Sequence, residues 1–169
     1  MTRTEPPQGA REGGSCQSVM TTTKGFEAIM AAGHDAADTG LPQDAAQIGW
    51  DEARAAWWLA GAEEREKQLR PVSDALFARA ALQPGENVLD VGVGSGPTTW
   101  QAWDAVHPSG SVTGVDISSS MIAAARQRVP VADIEWIVAD AATLAFTPGH
   151  YDAVISRFGV MFFADPVAG

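Results

Sequence analysis

Short runs of Val, Ile and Leu recur along the second half of the chain, and polar or glycine positions follow each of them. The runs lie at Val88–Val91, Val112–Val115, Ile134–Val138 and Tyr151–Ser156. Runs of this length and composition predict buried strands. The intervening segments predict helices over Thr98–Val106 and from Ser118 to Val129. This alternation predicts an α/β fold with a parallel sheet of about four strands, because parallel strands are covered on both faces and read as continuous apolar runs.

Two more helices are predicted ahead of the sheet. The first runs from Trp50 to Leu69, with acidic residues at its start and basic residues near its end, as the helix dipole favours. The second runs from Pro71 to Leu82, because proline suits the first position of a helix. Trp57 and Trp58 are adjacent and cannot share one helical face. The first helix either caps the domain or forms a lid that walls a substrate pocket, and the sequence leaves both interpretations open.

Residues 1–47 differ in composition from the rest of the chain. They are poor in large apolar side chains and rich in Gly, Thr, Ala, Gln and Pro. Such a segment cannot bury enough surface to offset its ordering entropy, so it is predicted to be mostly disordered. The predicted organisation is therefore a disordered segment at 1–47, N-terminal helices at 48–83 and a ligand-binding unit at 84–169.

Charge and composition narrow the classes of partner. The 169 residues carry a formal net charge of −10, which argues against a nucleic-acid partner and against docking on anionic membranes. No apolar run approaches the roughly 20 residues that span a bilayer, and no signal peptide is evident, so a cytoplasmic location is predicted. The single cysteine, Cys16, allows no intrachain disulfide. We predict no metal site.

Three glycines follow the first strand, at Gly92, Gly94 and Gly96, and give the spacing G-x-G-x-G. The dinucleotide fingerprint is G-x-G-x-x-G and would place its third glycine at Pro97. Proline has no N–H to offer a pyrophosphate, so the turn favours a nucleoside without phosphates. Asp90, just before the turn, supports this interpretation, because a carboxylate repels a pyrophosphate and attracts a cationic amino group.

Acidic residues also end the next two strands. Asp116 lies about 20 residues beyond the glycines, where a carboxylate can accept hydrogen bonds from both hydroxyls of a ribose. Asp140 ends the third strand and is placed to accept from the exocyclic amine of an adenine. Ile117 and Met121 are predicted to form the apolar surface under the base, although ordinary helix packing explains Met121 equally well.

These motifs together resemble the class I S-adenosylmethionine-dependent methyltransferases, within the branch that includes the ubiquinone/menaquinone C-methyltransferases. The resemblance covers roughly Leu82 to Gly169 and rests on V-L-D-V-G-V-G-S-G, G-V-D-I-S, A-D-A-A-T-L-A-F and the stretch from Tyr151 to Pro166. It implies a Rossmann-like fold, S-adenosyl-L-methionine as cofactor and a small-molecule methyl acceptor.

The resemblance also implies roles for individual residues. Asp90 and the glycine turn would hold the methionine part of the cofactor, and Asp116 the ribose. Asp140 and Ala141 would contact the adenine. Ser156 and Arg157 would lie near the sulfonium and the substrate entrance. No catalytic base is identified.

The family's sheet has seven strands, whereas four are predicted here. The chain is therefore interpreted as truncated after the fourth strand, which would leave that strand at an edge of the sheet and make activity doubtful. A non-catalytic nucleoside-binding or interaction module is the alternative. A nicotinamide-dependent oxidoreductase is disfavoured by Pro97.

Overall fold

A computed structural model describes residues 17–18, 50–131 and 133–165 of the chain. The predictions of disorder over residues 1–47 and of an incidental thiol at Cys16 fall outside the described residues. The exception is the pair Gln17–Ser18, which forms a short strand.

The described part of the chain forms a parallel sheet of five strands in the order β1-β5-β2-β3-β4. The strands are β1 Gln17–Ser18, β2 Asn87–Val91, β3 Ser111–Asp116, β4 Ile134–Val138 and β5 Ala153–Ile155. The four predicted strands are all present within one to two residues of their predicted ends, and the α/β fold class is confirmed. The prediction that β5 lies at an open edge of the sheet was wrong over two residues, because Gln17 and Ser18 pair with Ala153 and Val154.

Four α-helices and one short 3₁₀ helix accompany the sheet in the described residues. They are α1 Glu52–Ala60, α2 Ala62–Ala80, α3 Pro97–Val106, α4 Ser119–Arg128 and the 3₁₀ helix Val160–Phe162. The predicted boundary between the first two helices was wrong. The chain breaks at Gly61, and Pro71 lies inside α2.

The face that α2 buries explains why Pro71 does not end it. Leu69 and Leu76 are both buried and lie on either side of the proline, seven residues apart on one helical face. Interior proline removes one helical hydrogen bond and costs about 3 kcal/mol. Continuous packing of this face offsets the loss, so tertiary contacts override the local signal.

Alternate residues of β2 face opposite sides of the sheet, as the strand period of two requires. Val88 packs with α2 and α3 residues in one buried cluster that includes Leu76, Ala102 and Val106. Leu89 and Val91 pack on the other side, against partly buried residues of the segment that follows β4.

Among the described residues, none of the helices combines the length and the apolar character that a membrane span requires.

Candidate functional site: a cavity at the carboxyl ends of the strands

A cavity of about 260 Å³ lies at the carboxyl ends of β2, β3 and β4, where parallel sheets bind their ligands. We call the lining residues that follow these three strands the floor: Gly92, Val93, Gly94, Ser95, Asp116, Ile117, Met121, Asp140 and Ala141. We call the remaining wall, contributed by residues 50–69 and 157–164, the roof: chiefly Trp50, Trp58, Arg65, Glu66, Leu69, Arg157, Phe158, Gly159, Phe162 and Phe163.

The glycine turn is held to β3 by its own backbone. The N–H groups of Gly92 and Val93 both donate to the carbonyl of Val115, at 2.8 and 3.2 Å. A Cβ on Gly94 would meet nothing within 4 Å, and Gly94 lines the cavity, so the backbone here is open to a ligand. Gly96 does not line the cavity; it precedes α3 and lies against Trp136 and Ala125.

Gly92 marks the closest approach between the floor and the roof. Its φ is +74°, and a Cβ there would lie 2.5 Å from the Cα of Gly159. A Cβ on Gly159 would in turn lie 2.4 Å from the carbonyl oxygen of Val91. Two glycines therefore allow the segment after β5 to cross directly over the turn, a contact that the glycine spacing alone did not predict.

Asp116 lies on the floor, and the backbone fixes both of its carboxylate oxygens. Oδ2 accepts from the Gly94 N–H at 2.9 Å, and Oδ1 accepts from the Ser118 N–H at 2.9 Å. A carboxylate has about four lone-pair sites, so about two remain beyond these bonds, and Asp116 lines the cavity. Burial raises the pKa of Asp116 above its usual value, while these two hydrogen bonds oppose the rise.

Asp90 lies beneath the floor rather than on the cavity wall. It is fully buried, and its Oδ2 accepts from the hydroxyls of Thr98 and Thr99 at 2.8 and 2.7 Å. Its Oδ1 is buried without a hydrogen-bond partner. Burial raises the pKa of Asp90 to about 6, and the two threonine hydroxyls and the Arg157 charge oppose the rise. Asp90 therefore holds the first turn of α3 in place behind the glycine turn.

The predicted base-binding residues share the floor. Ile117 is half exposed and lines the cavity, whereas Met121 is buried and lines it as well. Asp140 is exposed, and its Oδ1 accepts from the Ala142 N–H at 3.0 Å. Ala141 lines the cavity beside it. The structure thus brings four of the predicted residues to one wall, at the ends of β3 and β4.

Arg157 lines the cavity from the end of β5, but it is already engaged by α2. Its Nη1 and Nη2 donate to the two carboxylate oxygens of Glu66, each at 2.7 Å, and Nη1 also donates to the Ser73 hydroxyl at 2.7 Å. Glu66 and Ser73 were not predicted from the sequence. They carry no motif, and only the packing of α2 brings them to Arg157.

The roof is rich in aromatic rings. The Trp50 ring makes edge contacts with Trp58 and Phe162, with centroids 5.8 and 5.3 Å away. Trp57 points away and is 48% exposed, as the adjacency of the two tryptophans predicted. Residues of α1 and α2 form part of the cavity wall. This favours the interpretation of the first predicted helix as a lid over its interpretation as a cap of the domain.

Arg65 joins α1 to α2. Its Nη2 donates to the backbone carbonyls of Trp57 and Trp58, which lie in the last turn of α1. Its guanidinium lies 4.3 and 4.8 Å from the centroids of the same two rings. Burial lowers the pKa of Arg65. Gly61 leaves room for this arrangement, since a Cβ there would lie 2.8 Å from the guanidinium.

Residues 88–168 match a protein family described as a methyltransferase domain. The chain is 36% identical over 101 residues to the demethylmenaquinone methyltransferase of Beutenbergia cavernae, a match that covers 57% of this chain and 40% of that protein. It is 35% identical over 99 residues to the uncharacterized protein Rv1403c of Mycobacterium tuberculosis, covering 57% of this chain and 35% of that protein.

Among solved structures, the chain resembles one of the Haloferax volcanii Trm112 methyltransferase activator in complex with a protein described as a methyltransferase. The TM-score is 0.56 at 27% identity, over 70% of this chain and 52% of that one. The chain spans less than half the length of the curated relatives it matches, 35% and 40% of the two named above.

Proposed function

We propose that residues 88–168, which match the methyltransferase domain family, form a class I S-adenosylmethionine-dependent methyltransferase domain similar to the ubiquinone/menaquinone C-methyltransferase branch. On this premise the chain binds S-adenosylmethionine for methyl transfer to a small molecule. The bound cofactor supplies a methyl group already activated on its sulfonium. The work left to the protein is proximity and orientation of that group toward the acceptor.

The observation that carries this proposal is the geometry of Asp116. Two backbone N–H groups hold its carboxylate on the floor, each oxygen keeps further acceptor capacity, and Asp116 lines the cavity. That is the acceptor arrangement that the two hydroxyls of a ribose require. A phosphate in the same place would be repelled by the carboxylate charge.

Other floor residues fit the remaining parts of the cofactor. Ile117 and Met121 offer an apolar surface to the adenine, and Asp140 and Ala141 lie where its edge would be bound. Gly94 leaves room for the backbone to approach the methionine part. We propose that Asp90 acts on the methionine part of the cofactor from beneath the floor. It would do so through its Oδ1, which has no hydrogen-bond partner, and through the negative charge that it places behind the glycine turn.

The acceptor is proposed to be a small molecule rather than a nucleic acid. The net charge of −10 opposes phosphate backbones, and the demethylmenaquinone methyltransferase relative has a name that specifies a small acceptor. The aromatic roof supports an apolar acceptor that approaches from the side of Trp58 and Phe162. The cytoplasmic location stays a prediction from the sequence.

Calorimetric titration of the chain with S-adenosylhomocysteine and, separately, with NAD tests the proposal. We expect micromolar binding of the former and none of NAD, because Pro97 begins α3 and offers no N–H to a pyrophosphate. A folded chain that binds neither ligand would contradict the proposal, and selective binding of NAD would replace it with an oxidoreductase.

One observation favours the alternative of a non-catalytic nucleoside-binding module. Among the described residues, no His, Cys, Lys or Tyr lines the cavity, so no general base of those types faces an acceptor. Transfer of a labelled methyl group from S-adenosylmethionine to a small-molecule extract separates the two functions. Labelled product supports the methyltransferase, and cofactor binding without any product supports the module.

A further inference from the structure

The Glu66–Arg157 pair differs in kind from the other ion pair of α2. The Arg157 side chain is 10% exposed and the Glu66 side chain 34%, and two bonds of 2.7 Å join them in a bidentate arrangement. Lys67 and Glu64, one turn of the same helix, form a single contact of 3.3 Å with side chains 75% and 68% exposed. Exposed pairs of the second type contribute little, whereas shielded bidentate pairs fix a geometry.

The shielded pair also joins parts of the chain that are 91 residues apart. Glu66 belongs to the roof helix α2, and Arg157 lies two residues after the end of β5 and two residues before Gly159, which contacts Gly92. Arg65, the residue before Glu66 on α2, donates a hydrogen bond to a backbone carbonyl at the end of α1. Residues 65 and 66 therefore connect α1, α2 and the end of β5 in one continuous set of contacts.

The charge of Arg157 reaches the floor as well. It lowers the pKa of Asp90, in opposition to the burial that raises it. If Arg157 were free to turn toward solvent, both the roof and the charge balance beneath the glycine turn would change. The only acceptors that the described residues provide for its Nη atoms are Glu66 and Ser73, both on α2.

We propose that Glu66 is a positioning residue of the cofactor site, whose pair with Arg157 joins the two parts of the roof, α2 and the segment that follows β5, so that the cavity is preformed for its ligand. This inference rests on the proposed function. Glu66 acts through Arg157, so the charge pair matters rather than any contact between Glu66 and the cofactor.

The test compares Glu66→Gln with Glu64→Gln. The second variant is the matched control, because it makes the same change on an exposed side chain of α2, next to the roof residue Arg65. By calorimetry we expect S-adenosylhomocysteine to bind the first variant at least tenfold more weakly than wild type, and the second within twofold. By hydrogen exchange of the ligand-free proteins, we expect peptides from residues 52–60 to exchange at least fivefold faster in the first variant only. Equal behaviour of the two variants overturns the proposal.

A double-mutant cycle separates positioning from direct ligand contact. Because Glu66 is proposed to act only through Arg157, we expect Glu66→Gln to weaken binding by less than twofold when it is introduced into Arg157→Gln. If Glu66→Gln weakens binding by the same factor in both backgrounds, Glu66 acts on the ligand directly and the positioning role is wrong. Should Glu66→Gln prove too unstable to assay, Glu66→Asp carries the test, because the shorter side chain keeps the charge and loses the bidentate geometry; we expect two- to fivefold faster exchange over residues 52–60, and wild-type exchange overturns the proposal.

Failure of this inference and failure of the proposed function give different results. If wild type binds S-adenosylhomocysteine and Glu66→Gln binds it equally well, the positioning role fails and the function stands. If wild type does not bind it but exchange over 52–60 still separates the two variants, the function fails and the pair remains a structural link between the two parts of the roof.

Discussion

The floor and the roof of the cavity are built by different kinds of interaction. Backbone hydrogen bonds hold the floor: Val115 accepts from the glycine turn, and Asp116 accepts from Gly94 and Ser118. Side chains hold the roof, through the rings of Trp50, Trp58 and Phe162 and through the guanidinium groups of Arg65 and Arg157. A surface fixed by its own backbone is ready for a ligand, whereas a surface fixed by long side chains can be loosened without unfolding the sheet.

The difference teaches where each property of the site is located. Selection of the nucleoside belongs to the floor, because its acceptors have fixed positions. Access to the cavity belongs to the roof, because side-chain contacts between its parts hold them together over the floor. Four changes test this division, beginning with the point at which the two walls touch.

The largest expected effect is that of Gly92→Ala. The new Cβ would lie 2.5 Å from the Cα of Gly159, and the φ of +74° is strained for alanine. We expect the free energy of unfolding to fall by about 4 kcal/mol, as overpacking and backbone strain combine. Urea denaturation of the variant and of wild type measures this difference in the free energy of unfolding.

Gly149→Ala is the matched control for that change. Its φ of +73° is nearly the same, but a Cβ there would meet nothing within 4 Å. We expect a loss of only about 1 kcal/mol, from the left-handed backbone alone. Equal losses at the two glycines would mean that the contact between floor and roof adds nothing to stability.

The next effect is that of Asp116→Asn. The amide keeps the size of the carboxylate but loses its charge and part of its acceptor capacity toward a ribose. We expect S-adenosylhomocysteine to bind about 100-fold more weakly, equivalent to about 2.7 kcal/mol. Calorimetry measures it against Asp104→Asn, an exposed carboxylate on α3, which should bind as wild type does. A loss below threefold at Asp116 would remove the ribose role from the floor.

Asp90 gives an intermediate effect that depends on pH. Its pKa is raised from 3.8 to about 6 in the folded state, so between these values the folded protein holds a proton that the unfolded chain has released. Stability must then fall as pH rises from 4 to 6, by about 2 kcal/mol from this group. We expect the difference in unfolding free energy between wild type and Asp90→Asn to change by that amount over this range. A pH-independent difference would show that the pKa of Asp90 is the same in the folded and unfolded states.

The smallest expected effect on cofactor binding is that of Trp58→Ala in the roof. It removes a ring that lines the cavity but lies away from the floor acceptors. We expect S-adenosylhomocysteine to bind less than fivefold more weakly, a cost of under about 1 kcal/mol. Calorimetry on Trp58→Ala and Asp116→Asn gives the comparison directly. If Trp58→Ala were the more damaging of the two, nucleoside selection would belong to the roof.

The sequence predicted the floor better than the roof. Asp116, Ile117, Met121 and Asp140 follow strands whose apolar runs are unmistakable, and parallel strands bring their carboxyl ends to one edge. Asp90 was predicted at the same edge, but strand alternation and the packing of α3 place it beneath the cavity. Its partners Thr98 and Thr99 could have been anticipated, because they open the helix that follows the turn.

The roof could not be read in the same way. Pro71 is a strong local signal for a helix start, yet the buried face shared by Leu69 and Leu76 keeps α2 continuous through it. Gly61 is an ordinary glycine in the sequence and becomes a boundary only because Arg65 folds back over it.

By itself, the sequence determined the order of strands β2 to β5 and of the helices along the chain, the glycine turn and the acidic residues at the strand ends, because each follows from local spacing along a few residues. Only the tertiary structure decided which of them reach the cavity, that Gly159 crosses Gly92, and that Glu66 engages Arg157. These contacts join residues as many as 91 positions apart. Their geometry depends on the packing of whole elements, which no local pattern encodes.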